Sequence, residues 1–319
     1  WQRFGLGPAG AMDRWSLAVA NALVGNAPGA AAIELVLMGA RFDVAGGPVR
    51  LALAGADCEL KVDGRIVPPL TGTTAPAGSR VEIGSARGGA FAYLAVGGSF
   101  AVAPELGSLS LHHRAQIGPF GGRPLRAGDR LPVIATAGED LTLAHEPQRA
   151  APPGEGPIRV VLGPQDDHFT PAGIATLLGG TYTIEQADRM GLRLAGPKIE
   201  HGDKGYNIVS DGIATGAMQI PGNGLPIVLL ADRQTTGGYP KIAVIAGADI
   251  PRLAQMRPGA AIRFAAIARE AAIALARETA AAADAMRAAL QPAVPELTTE
   301  RLLASNLVGG WIDGGDGQP

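Results

Sequence analysis

From Ala32 onward apolar positions recur with a period of two. Ile33, Leu35 and Leu37 fall on one face and Glu34, Val36 and Met38 on the other, which is the pattern of a strand. Further short strands are predicted at 41–44, 49–54, 58–62, 80–83 and 90–96, each closed by a Gly-Gly, Asp-Gly or Pro-Ala-Gly turn. The Asp63-Gly64 pair inside Lys61–Ile66 predicts a tight hairpin. Ahead of these strands, Asp13 reads as a helix N-cap, and Trp15, Val19, Ala22 and Leu23 recur at helical spacing until Gly25-Asn26.

Between His145 and Pro157 the periodicity lapses and Pro, Gly and charge accumulate, which predicts a linker after an N-terminal β-rich unit over 1–150. A second strand-rich unit is expected over 158–267, with strands at 158–162, 182–185 and 208–211. In it the runs GAMQIP and LPIVLLA are joined by a turn at Pro221–Gly224. An Ala-rich stretch over 268–291 predicts a helix ended by Pro292 and Pro295, and the tail 292–319, finishing GGWIDGGDGQP, is expected to fray. The predicted class is mainly β, a sandwich or barrel architecture with a few helices.

Composition narrows the function. A hydrophobic content of 47% in 319 residues supports a substantial core, while an aromatic content of 4% means that Ala, Val, Leu and Ile build it. A net charge of −2 and a pI near 6.2 leave no electrostatic footprint for nucleic acid. No apolar run approaches the roughly 18 residues that span a bilayer, and one cysteine, Cys58, leaves no internal disulfide. A cytoplasmic location is the expectation. The chain opens on Trp1 without an initiator Met, so it is expected to start inside a longer natural chain.

The densest chemistry follows the run LPIVLLA: Asp232, Arg233, Gln234, Thr235, Thr236, Gly237, Gly238, Tyr239 and, after Pro240, Lys241. Strand ends that open into polar, Gly-containing loops commonly present reactive groups. The Gly237 and Gly238 amides lack a shielding Cβ, the threonines add hydroxyls, and Arg233 and Lys241 add positive charge. Asp232 or Asp211 is a candidate base, and Gln219 and Gln234 are candidates to hold a planar amide edge. The alternative is a plain turn, with the glycines setting the backbone, the aspartate capping it and Tyr239 packing on the barrel wall. Glu34 reads as a solvated or Arg-paired group. His112 and His113 are adjacent, point to opposite sides of an extended chain and lack partners at ligand spacing, so no metal site is expected. His145, His168 and His201 are isolated and read as structural.

The segments GPAGAMDRWSLAVANALVGN, AAIELVLMG, YLAVGG, GRPLRAGD, GPQDDHFT, DRMGLRL, SDGIATGAMQIPGNGLPIVLLADRQTTGGYPKIA and PGAAIRF occur in one order from near residue 1 to about residue 270. In that series the chain resembles the biotin-dependent carboxyltransferase family, whose members are also known as allophanate hydrolase subunit 2, Kip-type A proteins or the C-type subunits of 5-oxoprolinase. The resemblance implies two cyclophilin-like β-barrel units and a companion of the Kip-type I kind, the B-type subunit of 5-oxoprolinase. It implies either ATP-dependent opening of 5-oxo-L-proline with a lactam-utilisation subunit, or carboxyl transfer from biotin to urea or another amide, or a regulatory binding role toward a histidine kinase. Gln165 of GPQDDHFT and Arg189 of DRMGLRL then join Gln219, Gln234 and the loop residues as substrate contacts, with Asp232, Lys241, Asp211 and Arg233 as the catalytic candidates.

One departure stands out. Relatives carry Gly-Ser-Arg-Ser-Thr where this chain has Gly107-Ser108-Leu109-Ser110-Leu111, replacing an Arg and a Thr by leucine. The chain also lacks a G-x-x-x-x-G-K-[ST] loop, so ATP, with magnesium, is expected through a site shared with a partner.

Overall fold

The computed structural model describes residues 1–293. The predicted helix forms over Arg14–Leu23 and is held at both ends by local chemistry. Asp13 accepts the Ser16 N–H at 2.9 Å at its start. At its end Gly25, with φ of 74°, lets its own N–H reach the Ala22 carbonyl and the Asn26 N–H reach that of Asn21, a Schellman pair.

Two long strands, Val49–Asp57 and Gly88–Val96, pair antiparallel at the centre of a four-stranded sheet edged by Ile33–Val36 and Thr73–Ala75. Alternation assigns their faces. Leu51, Leu53, Ala92 and Leu94 point to a core shared with a second four-stranded sheet, made of Arg41–Asp43, Arg80–Ile83, Leu60–Val62 and Arg65–Val67. Ala52, Ala54, Tyr93 and Ala95 face Trp15, Val19 and Leu23 of the helix instead. Three alanines on that face let the helix lie close, and burial on both faces explains why these strands read as nearly continuous apolar runs. The hairpin closes at Asp63 and Gly64, whose φ values of 50° and 77° are both positive, as a type I′ turn requires.

The expected linker is not extended. Pro147–Ala150 forms a 3₁₀ turn, and the Ala150 carbonyl accepts Trp15 Nε1 at 2.9 Å, so this stretch is docked against the first helix. The chain then builds an eight-stranded sheet in the order Ala261–Ile262, Tyr182–Ala187, Gly191–Ala195, Ile227–Leu229, Ala217–Gln219, Lys241–Ile245, Ile158–Leu162 and Phe264–Ala266. The two outermost strands are consecutive in sequence, separated only by Arg263, so the sheet curls into a nearly closed barrel. Tyr182, Ile184, Leu192, Leu194, Met218 and Val228 are buried within one core that continues into Trp15, Val19 and Tyr93. The expected turn at Pro221–Gly224 forms, with Met218 opposite Val228.

The Ala-rich helix spans Arg269–Ala288, stopping short of Pro292, and buries Met286. Gln291–Pro292 pairs with Leu141–Thr142. Pro295 and the tail from residue 294 lie outside the described residues. The mainly-β expectation thus holds. No helix among the described residues is long and apolar enough to cross a membrane.

Candidate functional site

The strand Ile227–Leu229 leaves the barrel into the glycine-containing loop, which returns at Lys241. On the way Thr236–Gly237 forms a two-residue ladder with Asp211–Gly212. The Ile213 N–H to Thr235 carbonyl bond at 3.0 Å and the Ile208 N–H to Gly238 carbonyl bond at 2.9 Å extend this ribbon. Val209 and Ser210 bulge out between the paired positions, leaving Val209 92% exposed. The ribbon places Asp211 directly over the start of strand Lys241–Ile245.

There the loop's chemistry converges. Lys241 Nζ donates to Asp211 Oδ2 at 2.9 Å, with the lysine side chain 2% and the aspartate side chain 53% exposed. Gln165 binds both partners: its Oε1 accepts the Lys241 N–H at 3.1 Å and its Nε2 donates to Asp211 Oδ2 at 3.0 Å. The Gly212 N–H donates to the other carboxylate oxygen at 2.7 Å. These contacts, Lys241 first, then Gly212 and Gln165, hold the Asp211 carboxyl below the ordinary carboxylate range. The group offered to solvent is therefore an ionised carboxylate seated on a buried ammonium. Lys241, expected as a positive charge of the loop, lies buried beneath its counter-ion.

The paired glycines serve two different ends. A Cβ on Gly237 would lie 2.6 Å from Gln219 Nε2 and 2.8 Å from Ile213 Cδ1, so a larger residue there would have to displace the tips of these two buried side chains. Gly237→Ala is expected to destabilise by about 1–3 kcal/mol through overpacking, read in urea unfolding, and unchanged stability would contradict this close approach. Gly238 has more room, its Cβ position lying 3.5 Å from the Ile208 carbonyl oxygen. Its N–H meets no acceptor among the described residues, and Gly238 follows Gly237, whose strand partner is Asp211. Gln219 is 2% exposed and donates to the Tyr239 carbonyl at 3.2 Å, so it shapes the loop from below. Gln234 and Thr236 are exposed, Thr235 is half-buried, and Tyr239 is 41% exposed at the rim.

Asp232, Arg233 and Arg189 belong to a second cluster, at the junction of the barrel and the first sheets. Arg189 sits at the tip of the hairpin between Tyr182–Ala187 and Gly191–Ala195, a turn fixed by Asp188 Oδ1 accepting the Met190 and Gly191 N–H groups. Its guanidinium forks onto Asp232 at 2.8 and 2.9 Å, donates to the Gly10 carbonyl at 2.7 Å and pairs with Glu34. Burial pulls the Arg189 pKa down, but Asp232 and Glu34 outweigh it and hold it above its ordinary value. The Glu34 carboxylate also accepts the Tyr93 hydroxyl at 2.7 Å and the Met12 N–H at 3.0 Å. Burial first, then the Glu34 charge, pushes the Tyr93 phenol up. Arg233 is 4% exposed and spends its guanidinium on the Ile213 and Leu230 carbonyls, and burial lowers its pKa. The ribbon therefore brings together Gln165, Asp211, Gln219, Gly237, Gly238 and Lys241, whereas Asp232, Arg233 and Arg189 are absorbed into the junction.

Glu34 and Tyr93 were not among the predicted site residues. The signal for Glu34 was its place in an otherwise apolar strand, where a charge needs a partner. His112 accepts the Ala115 N–H at 3.2 Å, and His201 packs between Phe169, tilted against it, and Tyr206, edge-on to it, so both serve the local chain. Of the two leucines replacing the expected Arg and Thr, Leu111 packs under Gly118, where a Cβ would lie 3.1 Å from its Cα.

A family model described as carboxyltransferase domain, subdomain A and B, matches residues 4–266. The C-type subunit of the Escherichia coli K12 5-oxoprolinase is 36% identical over 269 residues, covering 83% of this chain and 84% of that protein. Its namesake from Haemophilus influenzae is 35% identical over 278 residues, 87% of this chain and 88% of the relative. A putative urea carboxylase of Emericella nidulans is 32% identical over 270 residues, but these make up 22% of that protein. Among solved structures, TTHA0988 superposes with a TM-score of 0.72 at 31% identity, over 83% of this chain and 52% of that one. The Kluyveromyces lactis urea carboxylase gives a TM-score of 0.80 at 24% identity over 94% of this chain and 28% of that chain, a likeness of fold.

Proposed function

Because this chain belongs to the family of carboxyltransferase domains with subdomains A and B, we propose that it works in the cytoplasm as one component of an ATP-dependent 5-oxoprolinase, opening 5-oxo-L-proline to glutamate. The observation that carries the reading is the Asp211 carboxylate, seated on Lys241 in the same ribbon as Gly238, whose N–H meets no acceptor among the described residues. A lactam holds its N–H and C=O on the same edge of the ring. Asp211 accepts the lactam N–H and the Gly238 N–H donates to the carbonyl oxygen, where negative charge grows as the carbon is attacked. Gln165 fixes the carboxylate, and Gln219 and Gly237 fix the main chain that carries the donor. Thr235, Thr236, Gln234 and Tyr239 line the approach. Asp232, Arg233 and Arg189 support this edge from the junction rather than touching substrate.

The residues around the loop do not fit a magnesium nucleotide. Lys204 is matched by Asp167, Lys241 by Asp211 and Arg233 by carbonyls, which leaves none of these three cations for a triphosphate. Nucleotide chemistry is therefore assigned to the companion of the Kip-type I kind and the lactam-utilisation subunit. The test is to combine the purified subunits with ATP and 5-oxoproline and to measure glutamate and phosphate. Glutamate formation that needs this chain supports the reading, and its absence with all subunits present refutes it.

A second reading is favoured by the urea carboxylase relatives, whose matched segment is a small part of a longer chain. Biotin's ureido ring is neutral and carries the same N–H and C=O groups, so Asp211 and Gly238 would hold it as they hold a lactam. When bound, biotin supplies the carboxyl group to be transferred. Inhibition by avidin and capture of a biotinylated carrier would select this reading over the first.

A further inference from the structure

Gly98–Phe100 and Val133–Ala135 pair antiparallel, and the long loop between them starts and ends at one stem, where the Ala101 N–H bonds the Pro132 carbonyl at 2.8 Å. Beside this stem, residues 118–121 form one side of a cleft of about 370 Å³. Val102, Pro119, Phe120 and Pro132 supply apolar lining, and the charged residues that line it are Glu105 and Arg130. None of them belongs to the barrel that carries the Asp211–Lys241 edge.

The turn that walls the cleft is strained. Phe120, Gly121 and Gly122 are successive left-handed residues, with φ values of 59°, 68° and 72°. For a side chain as large as phenylalanine that conformation is costly. Its surroundings enforce it: a Cβ on Gly118 would lie 2.6 Å from the Ser110 carbonyl oxygen, and one on Gly122 would lie 1.9 Å from the Gln116 carbonyl carbon. Both obstacles are main chain, so the turn has no room to relax. Outliers of this kind persist where the fold over-determines them, and they gather at ligand clamps.

The two charges are only partly spent on the fold. Glu105 is bridged to Ser108 by two main-chain bonds of 2.9 Å, and its Oε2 accepts the Gly118 N–H at 2.8 Å, which leaves Oε1 without a donor among the described residues. Arg130 meets no carboxylate or carbonyl among the described residues. The adjacent Asp129 is already taken by Arg123, through two bonds of 2.7 Å, and by the Arg126 N–H. Acid and base therefore line one cleft without closing on each other. A lone anion there would meet Glu105 and a lone cation would meet Arg130, whereas a ligand carrying both charges satisfies both.

We propose that this cleft binds an α-amino acid with an apolar side chain, its carboxylate on Arg130, its ammonium on Glu105 and its side chain against Val102, Pro119 and Phe120. The binding is independent of the reaction at the Asp211–Lys241 edge, so either can fail without the other.

The experiment is calorimetric titration of the purified full chain with L-leucine, L-leucinamide, which lacks the carboxylate, and N-acetyl-L-leucine, which lacks the ammonium. L-leucine is expected to bind saturably, and each derivative about 10- to 100-fold more weakly, the usual worth of one hydrogen bond to a charged group. Arg130→Gln should lower L-leucine affinity by a similar factor and leave L-leucinamide unchanged. Glu105→Gln, which keeps an acceptor for the Gly118 N–H, should lower L-leucine affinity and leave N-acetyl-L-leucine unchanged. Phe120→Gly, which fits the left-handed φ and removes the aromatic wall, should weaken all three ligands. No saturable heat with L-leucine at millimolar concentration, derivatives that bind as tightly as L-leucine, or an Arg130→Gln variant with wild-type affinity each overturn the proposal. If a melting curve shows that Glu105→Gln or Phe120→Gly has not folded, Arg130→Gln decides alone, because it removes a side chain that the described fold does not use.

Discussion

Arg189→Met is expected to lower the unfolding free energy by about 3 kcal/mol, because it strands the buried Asp232 carboxylate and the partly buried Glu34 carboxylate, which now share one guanidinium. The methionine keeps most of the apolar volume, so the loss is electrostatic. Asp232 would lose its bidentate partner, Glu34 the cation it pairs with, and the Gly10 carbonyl its donor. The effect should reach both halves of the molecule, since Glu34 belongs to the first sheet and Asp232 to the barrel loop. For a chain of this size the melting temperature should fall by on the order of 10 °C. Combining Arg189→Met with Glu34→Gln and Asp232→Asn should recover much of that loss, because the remaining groups are neutral and can still hydrogen-bond one another. A melting temperature that does not move in the single variant would show that the cluster is solvated and that the two halves hold together by apolar packing alone.

This junction also marks the limit of what the sequence could disclose. Features set by neighbours in the chain were legible: the Asp13 cap, the Gly25 stop, the Asp63-Gly64 hairpin and the two strands joined at Pro221–Gly224 all rest on chemistry within a few residues. The pairing of Glu34 with Arg189 spans 155 positions and that of Arg189 with Asp232 spans 43, and no local pattern encodes either. Arg189 and Asp232 therefore read as free loop chemistry when each was already committed to the other. The linker carries a similar tie, since the Trp15 indole reaches across 135 positions to its Ala150 carbonyl.

Lys241 is a different case, because its burial was encoded. It begins the strand Lys241–Ile245, in which Ile242, Ala243 and Ile245 are all buried, so both faces of the strand are covered. Charged residues are seldom fully buried without a partner, and the partner here, Asp211, comes from a short ribbon that composition does not predict. The fold thus puts the ammonium beneath the loop and the aspartate above it. That inversion matters for function: an exposed lysine would recruit anions, whereas a carboxylate resting on a lysine recruits N–H groups.

Lys241→Met is accordingly expected to reduce turnover of the assembled complex by about 10²- to 10³-fold, the usual cost of losing one fixed electrostatic partner at a reacting centre. The loss should fall on kcat more than on KM, because Asp211 remains present but is no longer pinned over the barrel. Its pH dependence supplies a sharper test. Lys241 is the foremost cause of the depressed Asp211 pKa, with the Gly212 N–H and Gln165 next. A depressed carboxyl stays ionised as pH falls past its ordinary value and loses its charge only below that point. Without the ammonium, the Asp211 carboxyl titrates at higher pH, so the acid side of the pH–rate profile should move upward in Lys241→Met. It should move the same way, by less, in Gln165→Leu, which removes one donor and leaves the lysine in place. A profile that stays where it is in both variants would mean that Asp211 does not touch the substrate, and the lactam edge built on it would have to be abandoned.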